Sequence, residues 1–257
     1  LMCNWTNSKG LCDLWNRMSK GNYTWNNIKI VWEEPADWYV VINSPPAHVT
    51  TKKKKTILFQ MEPHMSKNQK IWGDWSNPKP SDFKFCGTHH LTYNNNEWHL
   101  GKTYTDLISE PVIKDIQVAK ILSTVLSDKY RDPGHIKRID FIKFLEGKGF
   151  PYKYVFNAEN FSIRNYYTEK LIDGILAECL VFYWGCPNIR DHIDDRAYVQ
   201  LDLVDFHKDF DLIKRAINEN WWEQRLPYIQ TAKQEILNKR QFFPRIERII
   251  NGQEKTS

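Results

Sequence analysis

The chain has 257 residues, enough for two modest domains or one large α/β domain at roughly 150 residues per domain. Its 36 Lys and Arg against 31 Asp and Glu leave a net charge of +5, and 41% hydrophobic with 26% charged residues is ordinary globular composition. These values exclude a disordered chain, a membrane bundle and a small disulfide-stapled scaffold.

Short apolar runs alternate with longer periodic segments, a pattern that predicts an α/β protein built on parallel sheet. In the first half, strands are expected at Ile28 to Trp32, Trp38 to Ile42 and Thr56 to Gln60. The last two end in Asn43-Ser44-Pro45-Pro46 and Glu62-Pro63, loops that carry polar groups at strand C-termini. Lys52 to Lys55 form the densest basic run and read as a solvated loop, so nucleic acid is not expected as a partner. Residues 63–114, rich in Trp, Asn, Pro and Lys, read as loops around a strand at Phe83 to Gly87. The domain boundary is expected near 111–117, giving an N-terminal unit over 1–114 and a C-terminal unit over 115–257.

The second half reads as strand at Ala119 to Ser127, helix at Gly134 to Gly147, strand at Tyr152 to Asn157, helix at Thr168 to Cys179 and strand at Leu180 to Trp184. A strand at Ala197 to Leu203, a helix at Asp209 to Asn220 and one or two helices over Trp221 to Ile250 follow. The cysteines Cys3, Cys12, Cys86, Cys179 and Cys186 are odd in number and contain no CxxC pair, which predicts reduced, buried thiols. No run approaches the 18 or so apolar residues of a membrane span, and no signal segment is evident.

The stretch from Tyr152 to Ile189, YKYVFNAENFSIRNYYTEKLIDGILAECLVFYWGCPNI, carries the chemistry. A buried strand ends at Asn157, a polar loop presents Glu159, Asn160, Arg164 and Tyr166, and a helix opens at Thr168, whose hydroxyl suits an N-cap. Lys170 falls in the first helical turn, where the macrodipole is positive and a cation costs roughly 0.3–1 kcal/mol. A bound anion would remove that conflict. Helix N-termini hold phosphates through free N–H groups, Arg164 and Lys170 would reinforce such a site, and Glu169 could accept from ribose hydroxyls.

The order of strand, AEN, YYTEK, apolar helix and VFYWGCPNI resembles the donor-binding motif of family 10 glycosyltransferases, the α1,3/α1,4-fucosyltransferases. Ile136-Lys137-Arg138 is similar to that family's pyrophosphate arginine segment, and ILFQMEPH to its Glu-Ser-Pro segment, whose glutamate is the proposed general base. The resemblance implies a compact GT-B fold, two Rossmann-like halves with a cleft between them. It implies phosphate contacts for Arg138, Tyr166 and Lys170, ribose or phosphate contacts for Asn160 and Glu169, and Glu62 as base. The implied reaction is inverting and metal-independent, moving L-fucose from GDP-fucose to a hydroxyl of a glycan or glycoprotein. No cofactor is expected. Glu159-Asn160-Phe161 departs from the family's Glu-Asn-Ser/Thr, so a UDP-sugar donor such as UDP-glucose is the alternative. Further alternatives are a non-catalytic carbohydrate- or nucleotide-binding module and, from the aromatic and basic tail, an interaction protein.

His64 is an alternative base and His48 a third. His89-His90 point to opposite faces of a strand, and Asp191, Asp194 and Asp195 follow the donor helix instead of ending an early strand, so no metal site is expected. Trp184 is expected in the core, and Trp72 and Trp75 are candidates to line an acceptor cleft. Sequons begin at Asn4, Asn22 and Asn160, and a glycan at Asn160 would sit in the donor loop. That favours the cytoplasm. A homodimer is compatible with the sequence.

Overall fold

A computed structural model describes residues 1–62, 70–88, 102–112, 133–145 and 153–254. The chain divides into two compact units, one of Leu1–Glu97, Gly101–Ser109 and Leu237–Ser257, the other of Trp98–Leu100 and Glu110–Ile236. Both are α/β, and each is organised on a parallel sheet.

The first unit opens with β1 (Met2–Cys3) and helix α1 (Ser8–Asn16). Asn7 caps α1 by accepting from the Gly10 N–H at 2.8 Å, and Leu11, Cys12 and Trp15 are buried along one side. A short antiparallel pair follows, β2 (Thr24–Trp25) with β3 (Ile28–Lys29). The main strands are β4 (Tyr39–Ile42), β5 (Thr56–Phe59) and β6 (Phe85–Gly87), and the sheet runs β1-β4-β5-β6 with every neighbour parallel. Val41, Ile42, Ile57, Leu58 and Phe59 are fully buried, as continuous apolar strands of a sheet covered on both faces should be. Helix α2 (Tyr104–Ser109) follows.

In the second unit, α3 (Pro133–Leu145) precedes β7 (Tyr154–Ala158), α4 (Glu169–Leu176), β8 (Leu180–Trp184), β9 (Tyr198–Gln200), α5 (Phe206–Asn218) and α6 (Trp221–Glu235). The strands form a parallel sheet in the order β7-β8-β9. Helix α4 lies hard against it at Gly174, where an added Cβ would stand 2.5 Å from Val181 Cγ2. Phe141 of α3 is fully buried and meets Phe156 and Phe206 edge-on at 4.8 and 5.2 Å. Helix α6 is tied back by Trp222 Nε1 donating to Glu178 O and by the Lys233–Glu178 ion pair, 2.8 Å and largely buried.

The expected strand at Ile28 to Trp32 shortens to Ile28–Lys29, because the Leu1 ammonium takes the Val31 carbonyl at 3.0 Å and Ile30 bonds back to Tyr23. The strand at Ala197 to Leu203 shortens to Tyr198–Gln200. There Leu203 turns to φ +49°, and buried Asp209 accepts from its N–H at 2.9 Å, sending the chain into α5 earlier than expected. The expected strand at Ala119 to Ser127 lies outside the described residues.

The unit division differs from 1–114 and 115–257 chiefly at the C-terminus. The tail breaks at a π-turn over Ile236–Arg240, and α7 (Phe242–Ile250) belongs to the first unit. Phe242 meets Trp15 and Phe59, Gln241 donates to Met18 O, and fully buried Arg245 lies 5.0 Å over the Phe59 ring. The α7 part of the tail is therefore packed into the core of the first unit. All five cysteines are buried and none forms a disulfide. Among the described residues, no helix is long and apolar enough to cross a membrane.

Candidate functional site

In the second unit, β7 and β8 continue their pairing one residue past β7, where the Glu159 N–H donates to Trp184 O at 2.9 Å. That bond draws the Glu159 side chain inward, and it is fully buried. Its Oε1 accepts from the Thr168 N–H at 2.8 Å and the Tyr183 hydroxyl at 3.2 Å, while Oε2 accepts from Thr168 Oγ1 at 2.7 Å with Lys170 Nζ 3.7 Å away. Three hydrogen bonds and the nearby Lys170 ammonium converge on its two carboxylate oxygens. Gly185 makes room for it, since a Cβ there would lie 2.4 Å from Glu159 Cγ.

The cation in the first turn of α4 thus has its anion from within the protein. Lys170 Nζ is held by Glu169 Oε1 at 2.8 Å, by Thr168 Oγ1 at 3.2 Å and by Glu159. Burial opposes the Lys170 charge, but Glu159 and Glu169 outweigh it and raise its pKa above the ordinary lysine value. Burial also raises Glu159, against the pull of Lys170 and Thr168. The helix-dipole conflict read from the sequence is resolved without an external ligand.

Arg138 sits inside α3, 8% exposed, with Nη1 donating to Asn160 Oδ1 at 2.9 Å. Burial lowers its pKa, and Glu159, Tyr166 and Glu169 counteract that loss. Arg138 and Lys170 lie within electrostatic range of one another. Arg138, Asn160, Tyr166, Thr168, Glu169 and Lys170 therefore gather at the C-terminal end of β7, where open parallel sheets take ligands. Tyr166 is buried beside Phe161, and Thr168 caps α4. Arg164 stands apart, 71% exposed and facing Asp191 at 3.6 Å.

Solved structures of α1,3-fucosyltransferases are similar to this chain. One with GDP is 14% identical, with a TM-score of 0.46 over 95% of this chain and 92% of that one. Another is 14% identical with a TM-score of 0.48 over 99% and 90%, and one with GDP-fucose is 16% identical with a TM-score of 0.40 over 75% and 69%. At TM-scores below 0.5 such a likeness decides nothing about the reaction. No family model matches the chain, and no curated protein matches it.

In the first unit, Glu62 follows β5 and is exposed, not the partly desolvated carboxylate the flanking Phe59 and Met61 lead one to expect. The loop beneath it is held by the Met61 N–H donating to Asn43 Oδ1 at 2.8 Å. His48 is exposed. His64 and the His89-His90 pair lie outside the described residues. Trp72 is buried and Trp75 half-buried, while Trp184 is in the core with Nε1 on Asp202 O. Asp194 caps a 3₁₀ turn and pairs with Arg196 at 2.6 Å, and Asp191 accepts from Asn188. Among the described residues, no three His, Cys, Asp or Glu side chains are disposed to hold a metal ion.

Glu159, which the sequence places in a presenting loop, organises the cluster from within. Its signal was available: a glutamate just after an apolar strand, nine residues before a threonine N-cap.

Proposed function

We propose that the chain is a GT-B glycosyltransferase whose second unit binds the diphosphate of a nucleotide sugar, GDP-fucose by the sequence resemblance. The observation that carries this reading is the pair of cations, Arg138 and Lys170, at the C-terminal end of β7 and the N-terminus of α4. In this reading Lys170 exchanges its contact with Glu169 for a phosphate oxygen, and the released Glu169 carboxylate accepts from ribose hydroxyls. Arg138 then offsets the remaining diphosphate charge. The acceptor hydroxyl of a glycan attacks the anomeric carbon, the bond from that carbon to the diphosphate oxygen breaks, and configuration inverts. Glu62 takes the hydroxyl proton, and the cations stabilise the leaving diphosphate without a metal.

Glu169 provides the discriminating test. By calorimetry, Glu169→Ala should bind inorganic pyrophosphate several-fold more tightly than wild type, because Lys170 loses its competing carboxylate. The same variant should bind GDP more weakly relative to pyrophosphate, because the ribose contact is gone. Unchanged affinity for both ligands would overturn the site. Turnover of GDP- and UDP-sugars with mixed glycan acceptors in EDTA then separates the donors: GDP-fucose supports the reading, and a UDP-sugar in its place keeps the anion site with another donor.

A further inference from the structure

The first unit carries a polar cleft of about 350 Å³ that the donor chemistry does not use. It lies beside the N-terminal ends of β5 and β6, since Lys53 precedes β5 and Asp82 precedes β6. Gln60 and Glu62 follow the opposite end of β5. Its size falls in the range of small-molecule sites, roughly 300–1,000 Å³. The side chains that line it include Lys53, Asp74, Trp75, Asn77, Lys79 and Asp82.

The walls are fixed from behind. Trp75 meets Phe83 with centroids 5.6 Å apart, and both pack on the cluster of Val41, Leu58 and Cys86. The Trp75 carbonyl accepts from the Gln60 side-chain amide, and Ser76 Oγ donates to Gly73 O at 2.8 Å, closing the turn. Trp75 remains half-buried and is one of the residues that line the cleft. Around it, Asp74, Asn77 and Lys79 are exposed, and Lys53 faces Asp82 at 3.5 Å.

Charge selects the ligand class. Among the described residues that line it, Lys53 and Lys79 balance Asp74 and Asp82, so the lining itself favours neither an anion nor a cation. What it offers is a dense set of donors and acceptors next to an aromatic face, which complements the hydroxyls and C–H surface of a sugar. We infer that this cleft is a binding subsite for a neutral carbohydrate of one or two sugar units. The inference goes beyond the nucleotide reading and is independent of it, because binding here requires no donor.

The test is saturation-transfer NMR on the full chain without nucleotide. The neutral probes are lactose, cellobiose and chitobiose, with glucose 6-phosphate and glucosamine as charged controls. At least one neutral disaccharide should give transfer, and Asp74→Ala/Asn77→Ala should weaken its binding at least tenfold while leaving the thermal unfolding curve unchanged. Both residues are exposed, so this pair avoids the risk of Trp75→Ala, which would open the Phe83 contact. No transfer from any neutral probe would overturn the inference. So would equal binding by wild type and the double variant, or tighter binding of a charged control than of every neutral disaccharide.

Discussion

Two glutamates follow the C-terminal ends of parallel strands, and their surroundings are opposite. Glu62, three residues past β5, is exposed, whereas Glu159, directly past β7, is fully buried under α4 and the end of β8. Both arise from an apolar strand running into a polar loop. The difference teaches that strand-end position supplies a carboxylate, while the element folded over it decides its work. Glu159 is spent on Thr168, Tyr183 and Lys170, whereas the Glu62 side chain remains at the surface.

The largest effect expected is on the fold. Glu159→Ala should cost about 3–5 kcal/mol in urea unfolding, as when a buried ion pair is broken from one side, with Lys170 at 23% exposure favouring the low end. Glu159→Gln should recover part of that and reveal a pH dependence. Burial raises the Glu159 pKa above 4.5, so the folded state holds a proton that the unfolded chain has released. This contribution is complete below pH 4.5 and is lost as pH climbs through the raised value, so wild-type stability relative to Glu159→Gln should fall over that window. A flat difference would show that Glu159 titrates normally.

Glu62 sharpens the contrast in the other direction. Glu62→Gln should leave stability within about 0.5 kcal/mol, as for an exposed side chain, and lower turnover by about 10²–10⁴-fold, as for a lost general base. Undiminished turnover would remove Glu62 from the chemistry and leave the comparison a structural one. The smallest effect concerns the space around Glu159. Gly185→Ala places a Cβ 2.4 Å from Glu159 Cγ and 2.6 Å from the Tyr183 hydroxyl, and should cost about 1–3 kcal/mol by overpacking. In a Glu159→Ala background the cost should shrink, because Cγ is gone; an undiminished cost would assign the strain elsewhere.

Much of the second unit was legible in the sequence. LVFYW at Leu180–Trp184 forms β8 over the expected residues, and Thr168 caps α4 as its hydroxyl suggests. The gathering of Arg138 with Lys170 was legible only through the family resemblance, because 32 positions of chain separate them and no local pattern links them. Helix α1 is marked in the sequence only by Asn7 and the Leu11, Cys12, Trp15 stripe, and α2 is only six residues long, too short to show a period.

Local sequence determined the parallel strands and the helix caps, since apolar runs covered on both faces and side-chain hydroxyls at a helix start act over a few residues. Tertiary structure decided the rest. It divided the tail at Ile236–Arg240 and sent Phe242, Phe243 and Arg245 into the first unit's core, through contacts such as Gln241 to Met18, 223 positions apart. It also turned Glu159 from a loop residue into the buried anion beneath α4. Desolvation depends on which distant segments close over a side chain, and no window of neighbouring residues contains that information.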